Sequence, residues 1–235
     1  MYPPTFHPGV YDRPEQAPYI DIGNLFRLLF HPKEAFEDLY DHTSSTQGII
    51  LAIFFTVMST GVSILAIWAF MGTLDLPPEA DIPLLVQTNA VLAIIGIFIS
   101  IATFFFVAWL FHAFIKGNAR RPSLPKTMGL MGYSMFPAFL IMLVISLVFP
   151  LIALGINFDD PEQAPDALGA LCGIFALIFG LGLVGLIWAW WVHSNAQSVA
   201  NDISTGTAFG YLFLTWFLVG ILMAIVNFAL SLAII

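Results

Sequence analysis

The distribution of charge limits what this chain can fold into more than any other feature of the sequence. Five stretches contain no Lys, Arg, Asp or Glu, and they cover residues 43–74, 82–115, 127–158, 167–201 and 203–235. Each is longer than the roughly 20 apolar residues that cross a bilayer as a helix. With 59% hydrophobic and 9% charged residues, the chain has too few polar side chains for a soluble surface. The sequence predicts an all-α polytopic membrane protein.

The uncharged stretches predict five transmembrane helices, near residues 47–71, 84–114, 134–156, 167–192 and 210–233. A different kind of sequence precedes them. Residues 1–21 are proline-rich without periodicity, which predicts a flexible cytoplasmic tail. Residues 22–46 are amphipathic, and residues 47–235 form the predicted five-helix domain.

The amphipathic segment predicts two short helices ahead of the first span. Its first part carries apolar residues at helical spacing, namely Ile22, Leu25, Phe26, Leu29 and Phe30. Pro32 fits the first turn of a second helix, where its missing N–H costs nothing. We expect both helices to lie in the cytoplasmic membrane interface or to pack on the end of the bundle.

The basic residues predict the orientation of the chain in the membrane. All seven fall on one predicted side, and they are Arg13, Arg27, Lys33, Lys116, Arg120, Arg121 and Lys126. The loops at 72–83 and 157–166 carry only acidic charges. Because positive residues remain cytoplasmic, the N-terminus is predicted inside and the C-terminus outside.

The sequence offers little for catalysis or metal binding. It contains no H-E-x-x-H, G-x-S-x-G or Walker motif. His112 ends the second span in the run Trp109–His112, and His193 ends the fourth span in the similar run Trp190–His193. If spans 2–3 and 4–5 are a repeat, the two histidines could approach each other. Two histidines without a third ligand make a poor zinc site. We therefore predict no enzymatic activity and no cofactor, and the absence of a basic stripe argues against nucleic acid as a partner.

Two further features concern packing and contacts. The run HSNAQSVAND (193–202), which includes Asn195 and Asp202, is the densest polar patch and is predicted to cap the bundle on the cytoplasmic side. The fourth span has small residues at four-residue spacing, such as Gly169 and Gly173. Such spacing lets helix backbones approach closely, within the chain or in a homo-oligomer.

The run Gly132-Tyr133-Ser134-Met135-Phe136-Pro137 places a proline in an apolar stretch. Residues 135–156 are long enough to cross a bilayer alone. We therefore expect Ser134 to be the N-cap of the third span. Pro137 would then lie in its first turn, and the Tyr133 ring would lie in the head-group region.

Two motifs resemble those of a known family. Asp38-Leu39-Tyr40 precedes the first span, and the Gly132–Pro137 run stands at the third. They resemble the D-L-Y-G-P and G-Y-S-L-x-P elements of the Yip family, the Ypt/Rab-interacting membrane proteins. Asp41-His42 stands here where the family has Gly-Pro. No long hydrophilic domain of the eukaryotic kind precedes residue 22, so the chain looks like a prokaryotic relative.

The resemblance implies a five-span protein with a cytoplasmic N-terminus and no enzymatic activity. For eukaryotic members it implies adaptors of ER–Golgi membranes that bind small GTPases and one another. A prokaryotic relative would lie in the plasma membrane, and the family implies no settled activity for it. The residues of both motifs, with His112, His193, Asn195 and Asp202, are the candidate contact residues for a membrane or cytoplasmic protein partner. Two alternatives remain open: a small-solute transporter or channel, and a lipid-handling protein.

The predicted orientation is testable by fusion. A reporter active only outside the membrane, joined after Ile235, should be active because the chain crosses the bilayer five times. A reporter active only in the cytoplasm should be silent at the same position. Activity in the reverse pattern would contradict the predicted topology.

Overall fold

The structure is a computed structural model that describes residues 22–71, 82–153 and 164–234. Within these ranges the chain forms eight helices, which are α1 (Ile22–Phe30), α2 (Pro32–Tyr40), α3 (Ser45–Met71), α4 (Ile82–Ile115), α5 (Leu124–Ser134), α6 (Phe136–Ala153), α7 (Ala164–Asn201) and α8 (Thr205–Ile234). The predicted tail at 1–21 lies outside the described residues, as do 72–81 and 154–163.

Five segments are long and apolar enough to cross a membrane, which confirms the predicted all-α, five-span fold. They are Ser45–Ile67, Val91–Ile115, Leu124–Val148, Ala176–Asn201 and Thr205–Ile225. The third segment contains both α5 and the first part of α6. The spans form a ring in the order α3, α4, α8, α7 and α6, with α6 packed back against α3.

The helix α5 packs against α3, α4 and α7 and fills the end of the ring to which α1 and α2 are attached. We call this end, formed by α1, α2, α5 and the 116–123 loop, the basal end. The helix α2 packs mainly on α7, and α1 on α2. The two predicted amphipathic helices are therefore present, and they pack on the bundle.

The apolar face predicted for α1 is divided between two environments. Leu25 and Leu29 are buried against the bundle, whereas Ile22, Phe26 and Phe30 are exposed. Pro32 begins α2, as its fixed φ and missing N–H predict. The buried side of α2 is formed by Ala35, Phe36 and Leu39.

The predicted start of the third span is wrong. The helix α5 begins at Leu124, where Ser123 is the N-cap and its Oγ accepts a hydrogen bond from the Lys126 N–H at 3.4 Å. Ser134 is instead the last residue of α5, and its hydroxyl donates to the Met131 carbonyl at 2.7 Å. Pro137 lies in the first turn of α6, as predicted.

Pro137 also explains why α5 and α6 are separate helices. It has no N–H for the carbonyl four residues earlier, and its ring crowds that carbonyl. The chain responds with a tight turn in which the Met135 N–H donates to the Gly132 carbonyl at 3.3 Å. The span is therefore interrupted at Met135, two residues before the proline.

The closest helix contact joins α3 and α5 at three glycines. A Cβ placed on Gly48 would lie 2.2 Å from the Met128 carbonyl oxygen, and a Cβ on Gly132 would lie 2.2 Å from the Gly48 carbonyl oxygen. A Cβ on Gly129 would lie 2.5 Å from the Thr43 methyl carbon and 2.9 Å from the Ser44 carbonyl oxygen. Only glycine permits this backbone-to-backbone contact.

The fourth span, in contrast, does not contain the tightest crossing. A Cβ at Gly169, Gly173 or Gly180 would meet nothing within 4 Å, and only Gly185 is close to a neighbour, the side chain of Ile141. The expected close packing of small residues is therefore found on α3 and α5 instead of along α7.

Replacing Gly132 by Ala should destabilise the protein by about 1–3 kcal/mol, because the added methyl group overlaps the backbone of α3. The measurement is the unfolding midpoint in mild detergent. Gly210→Ala is the matched control, since a Cβ there meets nothing within 4 Å and helix propensity favours alanine. Equal midpoints for the two variants would contradict the backbone contact.

Candidate functional site

The two sequence motifs meet in one hydrophobic core at the basal end. Leu39 from the first motif and Tyr133 from the second belong to the same buried cluster, together with Phe36 of α2 and Leu130 of α5. Tyr133 is 1% exposed. Its predicted position in the head-group region is therefore wrong, because α5 carries it beneath α1 and α2 and away from the surface.

The residues of the first motif each make a different contact. Asp38 is exposed and pairs with Arg27 of α1, with 2.7 Å between the carboxylate and the guanidinium. Leu39 is buried in the core. Tyr40 accepts a hydrogen bond from the Lys126 ammonium through its backbone carbonyl. The motif thus joins α2 to α1, to the core and to α5.

Lys126, in the first turn of α5, differs from the basic residues of the 116–123 loop. Its ammonium is partly buried, donates to the Thr43 carbonyl at 2.9 Å, and lies 4.8 Å from the centre of the Tyr40 ring. The Tyr40 carbonyl ends α2, where a cation is favoured by the helix dipole, and the Thr43 carbonyl lies three residues beyond it. Lys116, Arg120 and Arg121 are exposed and remain predicted topology signals.

The polar run at the end of α7 forms a buried network against α5. The Asn201 side-chain amide donates to the Thr127 hydroxyl at 3.0 Å, and the Gln197 amide donates to the Thr127 carbonyl at 3.4 Å. The Ser123 N–H donates to the Asn201 amide oxygen at 3.4 Å. These contacts hold the start of α5 to the end of α7.

Two residues of this run that are predicted contact residues, Asn195 and Asp202, have roles in the local structure of α7. Asn195 is buried, and its amide donates to the Trp191 carbonyl at 2.8 Å. Asp202 is exposed and has a φ of 51°, in the left-handed region that ends many helices. The Ile203 N–H then donates to the Ser198 carbonyl at 3.1 Å, which is the Schellman arrangement.

The two histidines do not form a common site. His193 lines a central cavity, whereas His112 does not, and α4 packs mainly on α3, α5 and α8. His112 Nδ1 and His193 Nε2 are each buried without a hydrogen-bond partner among the described residues. Across the described ranges, no group of three or more His, Cys, Asp or Glu could hold a metal ion.

The central cavity has a volume of about 550 Å³ and is lined by all five spans. Its polar lining residues are Thr56, Ser59, Thr60, Ser100, Thr103, Ser134 and His193. A cavity lined by Gln87, Asn89, Ser100 and Asn227 would favour solute transport, and of these residues Ser100 lines this cavity. The other three, Gln87, Asn89 and Asn227, have side chains outside the described residues.

The comparison with protein families agrees with the motifs. A family model described as the Yip1 domain matches residues 26–226. The chain belongs to the Yip1 family. This match covers α2 to α7 completely and most of α1 and α8, so the protein is an integral membrane protein of the Yip type. No match was found among curated proteins or among solved structures.

The Yip1 domain thus presents two sites with different chemistry. The basal end carries exposed charges on α1 and α2, which are packed against the bundle. The cavity carries hydroxyl groups and an imidazole inside the ring of spans. The sequence reading missed α5, although Ser123 and Pro125 form a recognisable helix start. It also missed the capping box in which Ser44 and Gln47 exchange hydrogen bonds at the start of α3.

Lys126→Met should make the end of α2 less stable, because the variant cannot donate hydrogen bonds to the Tyr40 and Thr43 carbonyls. We expect hydrogen exchange of the α2 amides to accelerate about fivefold, equivalent to about 1 kcal/mol, since the ammonium is only partly buried. Lys116→Met is the matched control, because it removes the same charge at an exposed position of the neighbouring 116–123 loop. Equal acceleration in both variants would contradict a stabilising contact between Lys126 and these carbonyls.

Proposed function

We propose that this Yip1-family protein is a non-enzymatic membrane adaptor, and that its basal end faces the cytoplasm and binds a protein partner. The orientation is supported by the exposed Lys116, Arg120 and Arg121 at that end. The family membership supports a membrane protein that acts through contacts. By family analogy, a small GTPase is one kind of partner.

The observation that carries this proposal is the acidic outer face of α2. Glu34, Glu37, Asp38 and Asp41 are all exposed, while the opposite side of the helix is buried in the basal core. The four carboxylates outnumber the three cations beside them, Arg27, Lys33 and Lys126. A helix fixed on one side by the core presents this charge pattern without the entropy cost of ordering on binding.

The sign of this charge favours a protein partner with a basic surface. Anionic lipid head groups would repel the carboxylates, so the outer face of α2 is suited to the aqueous side. The basic 116–121 segment is suited to the head groups. Charge complementarity of this kind accelerates association and selects among partners.

Solute transport, the first alternative, is less well supported. The lining of the central cavity is mainly aliphatic and aromatic, with Phe104, Phe139 and Trp216 among its residues. Ion or proton coupling usually depends on acidic or basic groups within the spans, and the uncharged stretches contain none. These observations favour contact at the basal end as the main function.

Neutralising the acidic face of α2 should weaken binding of the partner. The double substitution Glu34→Gln with Glu37→Gln removes two exposed carboxylates, and the protein is then purified from its own membranes in mild detergent. A partner should co-purify with the wild type, dissociate at high salt because the contact is electrostatic, and be reduced about tenfold or more in the variant. Quantitative mass spectrometry gives the amounts.

The control for this experiment is Lys116→Gln, which neutralises an exposed charge of the opposite sign at the basal end. A partner with a basic surface gains nothing from this cation, so the partner should be retained. A partner that binds all three proteins equally, or the absence of any co-purifying protein, would contradict the adaptor proposal.

A further inference from the structure

We propose that the central cavity is a binding site for a neutral amphiphile from the bilayer, a molecule with an alkyl chain and a hydroxyl or carbonyl group. The cavity volume of about 550 Å³ lies within the range of roughly 300–1,000 Å³ that is usual for ligand sites. This site is separate from the acidic face of α2 and does not depend on the adaptor function.

The fold determines how a ligand reaches the cavity. The ring of spans surrounds it, and α5 closes the basal end with Met131, Ser134 and Met135 at the cavity wall. The buried contacts of Thr127 with α7 stand at the start of α5, on the basal side of these residues. A ligand therefore does not enter through the basal end.

Entry from the bilayer is supported by lining residues that also lie at the outer surface. Ile99 of α4 is 47% exposed, Met142 of α6 is 44% exposed, and Leu186 of α7 is 55% exposed. All three are apolar and belong to segments that could cross a membrane. Molecules in the surrounding bilayer are apolar along most of their length, so such an opening selects them over aqueous solutes.

The polar groups of the wall explain why an amphiphile fits better than a pure hydrocarbon. His193 Nε2 is buried without a partner in the described part of the chain, and a buried unpaired polar atom is costly. The hydroxyls of Ser59 and Ser134 donate to the carbonyls of Phe55 and Met131. Their oxygens retain lone pairs that accept from a ligand hydroxyl.

The absence of charge in the wall determines the class of ligand. None of the described lining residues is Lys, Arg, Asp or Glu. A charged head group placed inside the ring would lose its hydration without gaining an opposite charge. A hydroxyl or carbonyl, in contrast, needs only the one or two hydrogen bonds that the wall provides.

The experiment uses the full chain in phosphatidylcholine vesicles and two photoreactive probes, hexadecanol and hexadecane that each carry a diazirine. Peptide mass spectrometry should locate the alcohol probe on cavity residues that are not at the outer surface, such as Met131 and Met135. Excess unlabelled hexadecanol should reduce this labelling, and excess hexadecyl phosphate should not. Labelling confined to residues outside the cavity would show that the alcohol does not occupy the cavity and would overturn the proposal.

Two variants test the site itself. Ala138→Phe fills the cavity and should reduce cavity labelling by the alcohol at least fivefold. Ala102→Phe adds the same ring at an exposed position that does not line the cavity, and labelling should be unchanged. Equal labelling in both variants would overturn the proposal. If Ala138→Phe fails to fold by size exclusion, Ala189→Phe fills the same cavity from α7.

The role of His193 is tested by comparing the probes. His193→Leu should reduce cavity labelling by the alcohol about fivefold and leave labelling by the hydrocarbon unchanged, because only the alcohol uses the ring nitrogen. A parallel loss of both labels, or no loss of either, would overturn the assignment of His193 as the polar contact.

Discussion

The arrangement of this protein depends on one contact, the approach of the α3 and α5 backbones at Gly48, Gly129 and Gly132. Side chains at these positions would hold the helices apart, since an added Cβ would lie as close as 2.2 Å to main-chain atoms of the other helix. With the helices in contact, α5 lies within the basal end of the ring. Tyr133 then reaches the basal core, and Ser134 reaches the wall of the cavity. Helices in a membrane gain little from the hydrophobic effect between them, so close packing of this kind is a main source of their association.

The polar contacts at the basal end follow from the position of α5. Thr127 lies against the end of α7, where the amides of Asn201 and Gln197 satisfy its hydroxyl and carbonyl. Lys126 lies against the end of α2 and donates hydrogen bonds to the carbonyls of Tyr40, the last residue of α2, and of Thr43. Each of these groups would be costly to bury alone. Together they orient α1 and α2, and thereby hold the acidic face of α2 in a fixed position.

The two motifs that indicate the family hold helices together, since their residues connect α2 to α5. Leu39 and Tyr133 share a core, and the Tyr40 carbonyl receives the Lys126 ammonium. Asp41-His42 stands where the family has Gly-Pro, and both residues are exposed after the end of α2. A surface that contacts a partner is therefore better sought among the exposed carboxylates of α2, which include Asp38 of the first motif, than among the buried motif residues. The cavity is a second and separate site, because α5 and its buried contacts lie between the cavity and the acidic face of α2.

The sequence by itself determined the class of the protein, the five spans and the two short helices. Uncharged stretches must lie in lipid, and the helical spacing from Ile22 together with Pro32 specifies the helices that precede them. Only the tertiary structure decided where α5 lies, that Tyr133 is buried and that a cavity lies between the spans. The start of α5 could have been read from Ser123 and Pro125, but Pro137 gave a competing signal of the same kind. The other features could not have been predicted, because lipid and protein interior are equally apolar, and hydropathy does not distinguish a side chain that faces one from a side chain that faces the other.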